Sequence, residues 1–129
     1  MESKTASVTL HVPRARLFDF VSEITNLPVW AHEFCKGLQT VNGRHIVTTD
    51  QGDLLFRIDA DPKTGVVDFF GGPTEDAMGC FPSRVIALPD GSSVYLFTLF
   101  RTPDMDDAAF EEGYASLRRE LDTLKSLLE

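Results

Sequence analysis

Hydrophobic and polar residues alternate along this chain in two rhythms. Ala6, Val8, Leu10 and Val12 are separated by Ser7, Thr9 and His11, the period of two expected of a strand with one buried face. Near the other end, Phe110, Tyr114, Leu117, Leu121, Leu124 and Leu128 follow one another at steps of four, three, four, three and four. That spacing places all six on one helical face and predicts a long amphipathic helix from Met105 to Glu129. Asp106 is placed to cap its first free amides, and Met105 to pack on Phe110 as a staple. Asp107, Glu111 and Glu112 suit the positive end of the helix dipole, and Lys125 the negative end. An apolar stripe of this length needs a surface to cover.

The segments between these two elements predict that surface. Pro13 stands where a proline can open a helix, and Leu17, Phe20, Val21 and Ile24 form a short apolar face behind it. Asn26-Leu27-Pro28 ends that helix and begins a second short one carrying Trp30. From Lys36 onward the turn residues are those of an antiparallel meander. Asn42-Gly43 separates Gly37 to Val41 from Arg44 to Thr49, a strong hairpin signal. Gln51-Gly52 leads into Asp53 to Ala60, and Asp61-Pro62-Lys63-Thr64-Gly65 into Val66 to Gly71. Asp90-Gly91 joins Cys80 to Leu88 with Ser92 to Arg101. With the first strand this makes seven.

Composition narrows the picture further. The 129 residues fit one domain, 1–129, with a single core. A formal charge of -8, with no cluster of Lys and Arg, argues against nucleic acid as a partner. No apolar run approaches a membrane span, and the first residues carry no apolar leader core, so a cytoplasmic protein is expected. Cys35 and Cys80 lack CxxC spacing and read as free, buried thiols. Ten of the thirteen aromatic residues are Phe, so a cavity in this protein would be apolar, with few hydroxyls to orient a guest. No cofactor is expected.

The order of strand, two short helices, six strands and long helix, together with particular residues, resembles the helix-grip fold of the START-like (SRPBCC) superfamily, most of all its polyketide cyclase/dehydrase-type branch. Those residues are Val12-Pro13, Leu17-Phe18-Asp19-Phe20-Val21, Asn26-Leu27-Pro28-Val29-Trp30, Asp61-Pro62, Asp90-Gly91 and Glu120-Leu121-Asp122-Thr123-Leu124-Lys125. The chain departs from the common pattern at Ser22-Glu23, where an Asp often follows the Ser, and it is somewhat short, which implies a smaller cavity. The resemblance implies an α+β fold, with a seven-stranded antiparallel sheet gripping the C-terminal helix and a pocket for a hydrophobic small molecule between them. It leaves the choice between a binding protein and an enzyme open.

Candidate site residues follow from this expectation. Trp30, His32, Phe34, Phe56, Phe97, Phe110, Tyr114 and Leu117 are the expected lining of a pocket for a hydrophobic or aromatic guest. His32 and Arg57 are the candidates for catalysis in a cyclase or dehydratase, if either points inward. Arg57, Asp59, Asp68 and Arg84 read more simply as an outward polar face with cross-strand ion pairs. His32, Cys35 and His45 carry the ligand types zinc prefers but match no paired-ligand spacing, so no metal is expected. Gly113 interrupts the long helix at a cost of about 1 kcal/mol and leaves a gap beside Tyr114. A third reading is a protein-interaction module whose groove is filled by its own side chains. Val66-Val67, Phe69-Phe70 and Val94 to Phe100 are apolar on both strand faces, which predicts a homodimer that covers the face the helix leaves bare.

Overall fold

The computed structural model describes residues Met1–Glu129. Strand β1, Ser3–Leu10, is followed by helix α1, Arg14–Val21, a 3-10 turn at Ile24–Asn26, and helix α2, Leu27–Trp30. Strands β2, Gly37–Val41, β3, Arg44–Thr49, β4, Gly52–Asp61, β5, Val66–Gly72, β6, Gly79–Ala87, and β7, Ser93–Phe100, come next, and α3, Asp107–Leu128, closes the chain. All seven strands form one antiparallel sheet in the order β1-β7-β6-β5-β4-β3-β2. The chain therefore has the α+β helix-grip architecture. β1 begins three residues before its alternating run, at Ser3, because its exposed start is paired through Ser3 with Phe100 of β7.

Local chemistry explains the element boundaries. The amides of Arg16 and Leu17 bond to the Pro13 carbonyl as α1 begins. Asn42 and Gly43 both adopt positive φ, 53° and 76°, the left-handed pair that a two-residue hairpin between twisted strands requires. Gly65 has φ 79°, and a Cβ there would lie 2.2 Å from the Val85 carbonyl oxygen, so only glycine lets the β4–β5 turn press on β6. The Asp106 carboxylate accepts a hydrogen bond from the Ala109 amide at 2.7 Å, the cap expected at the start of α3.

The stripe of α3 is buried as its spacing requires: Leu117, Leu121, Leu124 and Leu128 join Ala6 and Leu10 of β1 and Leu17, Val21 and Trp30 of the short helices in one core. α3 packs on β1 and α2, while α1 packs on the ends of β6 and β7. The inner faces of β4 to β6 reach beyond the helix. What fills that space decides the character of the site.

Candidate functional site

Strand alternation sends Phe56 and Ile58 of β4, Phe69 of β5, Phe81 of β6, and Tyr95, Phe97 and Leu99 of β7 to the inner face. Register sets Phe69 opposite both Ile58 and Phe81. Phe34, from the segment between α2 and β2, completes a closed circuit of five phenyl rings. Centroid separations around it are 5.8 Å for Phe34–Phe56, 6.0 Å for Phe56–Phe69 and 5.7 Å for Phe69–Phe97. Phe97–Phe81 at 6.4 Å and Phe81–Phe34 at 6.3 Å close it. These are the separations at which aromatic pairs attract. Trp30 backs the circuit, edge-on to Tyr95 at 5.9 Å and tilted against Phe69 at 6.4 Å.

The result is an aromatic cluster with a buried floor and a half-buried rim, called the cup below. Trp30, Phe56, Phe69 and Tyr95 are buried. Phe34, Phe81 and Phe97 are half-buried, as are Ile58, Leu99 and Tyr114 beside them. Polar atoms in the floor are few. The Tyr95 hydroxyl donates to Ser83 Oγ at 2.9 Å, and Ser83 Oγ donates to the Val67 carbonyl. Burial pushes the Tyr95 phenol well above its ordinary value. The indole N–H of Trp30 is buried with no hydrogen-bond partner.

One wall of the cup is a segment, residues 31–36, fastened to α3 by side chains. Glu120 Oε2 accepts from the amides of Glu33 at 3.1 Å and Phe34 at 3.0 Å. Arg119 grips the Glu33 carboxylate through two nitrogens, at 2.7 and 2.9 Å, and Ser116 donates to the same carboxylate at 3.0 Å. Arg119 also reaches Glu112 at 2.8 Å. The guanidinium holds the Glu33 carboxyl down at about 2. Glu120 goes the other way: burial pushes it up to about 7, against the opposing pull of the Phe34 and Glu33 amides.

Of the residues singled out from the sequence, Trp30, Phe34, Phe56 and Phe97 meet in the cup, and Leu117 belongs to the same core. Tyr114 packs at its edge, with the Lys4 ammonium 5.1 Å from its ring. Phe110 is buried outside that core, 5.6 Å from the same ammonium. His32 is exposed, its Nε2 3.3 Å from Thr123 Oγ1. Arg57 lies on the outer face, its guanidinium 4.2 Å from the Phe70 ring and 3.6 Å from Asp59. Neither catalytic candidate joins the rings of the cup: His32 belongs to the segment that walls it but has an exposed side chain, and Arg57 lies on the opposite face of the sheet. Cys35 donates to the Gly37 carbonyl and His45 bonds Thr40, so these do not converge with His32. Glu120, Phe69, Phe81 and Tyr95 are not among the site residues expected from the sequence, although Glu120 falls in the run that carries the resemblance and Phe69 in the run that predicts a homodimer. Glu120 carried a signal: it falls three residues after Leu117 and four before Leu124, on the flank of the apolar stripe. Two open clefts lie elsewhere on the surface, one of about 780 Å³ beside Phe20 and Leu127, the other of about 310 Å³ beside Arg101 and Met105.

No protein-family model matches the sequence, and no curated protein matches it. Solved structures do match in fold. The Aha1 dimer from Colwellia psychrerythraea superposes with a TM-score of 0.74 at 14% identity, over 100% of this chain and 97% of that one. A START superfamily protein from Mycobacterium smegmatis gives 0.72 at 12% identity, over 96% of this chain and 94% of that one. The di-domain ARO/CYC BexL of the BE-7585A biosynthetic pathway gives 0.70 at 16% identity, over 98% of this chain and 46% of that one. The fold is therefore START-like. No helix is long and apolar enough to cross a membrane.

Proposed function

We propose that this protein binds a neutral hydrophobic or aromatic small molecule, lipid or polyketide-like, in the aromatic cup between the sheet and α3. The observation that carries this reading is the half-buried rim of Phe34, Phe81 and Phe97 standing over a buried aromatic floor. Such a surface gains from covering apolar area and offers flat rings for stacking. A fold shared with a START superfamily protein and an ARO/CYC protein supports it. A guest enters by displacing Phe34, whose segment has no regular secondary structure. The outward placement of His32 and Arg57 favours binding over a cyclase built on those two residues.

A second copy of the chain is the partner proposed for the outer face of the sheet. Ile46, Leu55, Phe70, Ile86 and Leu96 lie half-buried there. Arg57, Asp59, Asp68 and Arg84 among them balance, and Arg44, Asp53 and Asp61 at the ends of β3 and β4 leave three Arg against four Asp on the face, in a chain whose formal charge is -8. A face that is apolar and nearly neutral suits self-association about a twofold axis. The cytoplasm is the compartment proposed for the protein, because two unpaired cysteines suit a reducing one.

The test is titration with 1-aminoanthracene, a neutral aromatic dye, read by Trp30 fluorescence, together with native mass spectrometry of the purified protein. Saturable quenching of Trp30, weakened in F97A, is the expected result. No response to the dye or to other hydrophobic compounds, with a guest-free mass, would leave the interaction module as the reading.

A further inference from the structure

We propose that Glu120 is the positioning residue of the cup's entrance: its carboxyl group fixes Phe34 over the phenyl circuit, and its ionisation releases that segment. This deepens the binding reading and rests on it.

The geometry comes first. Glu120 is 5% exposed, one of few buried polar residues in the chain. A single oxygen, Oε2, accepts from two consecutive amides, those of Glu33 and Phe34. Two amides of a segment outside any helix or strand therefore depend on one side chain from α3. The residue so held, Phe34, joins the two sides of the ring circuit, touching Phe56 on β4 and Phe81 on β6. Moving it would open the circuit at the only ring not carried by a strand.

The charge state of Glu120 then matters. Oε1 is free of the two amide bonds, so the carboxyl can be protonated there while Oε2 still accepts both. Ionisation strengthens those two bonds but leaves a buried negative charge, and burial is the larger effect. The groups around it do not reverse this. From the segment, Glu33 opposes ionisation and Lys36 favours it, while the Cys35 thiol is pushed up, mainly by burial. Arg119 on α3 is engaged by Glu33 and Glu112, and His32 by Thr123. α2, Leu27–Trp30, has no titratable side chain. A proton thus binds the closed form more tightly than an open, hydrated one, so acid closes the cup and alkali loosens it.

Stopped-flow mixing with 1-aminoanthracene tests this. Between pH of about 6 and about 8.5 the association rate should rise by up to about tenfold in the natural protein, the factor that linkage between a group near 7 and its ordinary value allows. E120Q, which still accepts both amides but cannot ionise, should be slow at both pH values. F34A should be fast at both. In parallel, the amide proton shifts of Glu33 and Phe34, followed by NMR, should titrate with a midpoint near 7 in the natural protein and not in E120Q. A flat rate in the natural protein, or a midpoint that persists in E120Q, would overturn the proposal. A dye that binds none of the three proteins would overturn the binding reading and with it control of access. The amide shifts need no guest, and they would then decide separately whether Glu120 governs the segment.

Discussion

At the scale of single residues, two carboxyls on the same seam pull stability in opposite directions with pH. Glu33 is held at about 2, below its ordinary 4.5, so its contribution is complete above about 4.5 and fades as pH falls towards 2. Glu120 stands at about 7, above 4.5, so the folded protein holds its proton more tightly than the unfolded chain does. Its contribution is complete below 4.5 and is lost as pH rises through 7. The shift corresponds to at most about 3 kcal/mol. Urea midpoints should therefore rise from pH of about 8 to about 5, and E120Q should remove most of that difference. Phe69 gives a plainer case. It is 1% exposed and its ring packs on Trp30, Phe56 and Phe97, so F69A should cost about 3–5 kcal/mol in urea unfolding. The sequence could not single out Phe69 for the cup, because Phe69 and Phe70 are both apolar neighbours on one strand. Only register decides which of the pair faces inward. Glu120 was hidden for another reason: a carboxylate beside an apolar stripe reads as solvated until the segment that covers it is known.

The elements themselves were more legible, since each has a local cause. The hairpin at Asn42-Gly43, the cap at Asp106 and the stripe of α3 follow from residues within a few positions of one another. The start of β1 was less so, because its pairing partner, β7, lies almost a hundred residues further along the chain: Ser3 meets Phe100. Gly113 allows a prediction at this scale. It is exposed in the interior of α3, and a Cβ there would meet only Leu99 Cδ1, at 4.0 Å. Replacement by Ala meets ordinary van der Waals contact and removes the entropic cost of glycine in a helix. G113A should therefore stabilise the protein by up to about 1 kcal/mol, seen as a raised thermal midpoint. G113L, which extends further towards Leu99 and the neighbouring rim, should weaken dye binding while the far-ultraviolet circular dichroism stays native.

For the whole molecule, the proposed homodimer gives the clearest test. Leu96 sits at mid-strand on the outer face, one strand in from the β1 edge, opposite Arg84 on one side and Ser7 on the other. L96E should convert a dimer to a monomer in light scattering without altering dye affinity, since its side chain points away from the cup. A natural protein that is already monomeric at tens of micromolar, a common weak-dimer range, would remove the idea. Fold class was readable from the chain because order and turn chemistry define it; the cup was readable only in part, because it is assembled across the sheet. That assembly has a consequence for how the molecule comes into being. β1 has one hydrogen-bonded neighbour, β7, and Ser3 pairs with Phe100. During synthesis the first strand must wait for almost the entire chain before it can be paired, and α3, which shields β1, emerges later still. Until then a sheet rich in phenylalanine lacks its cover, so the nascent chain carries exposed apolar surface until α3 has been made.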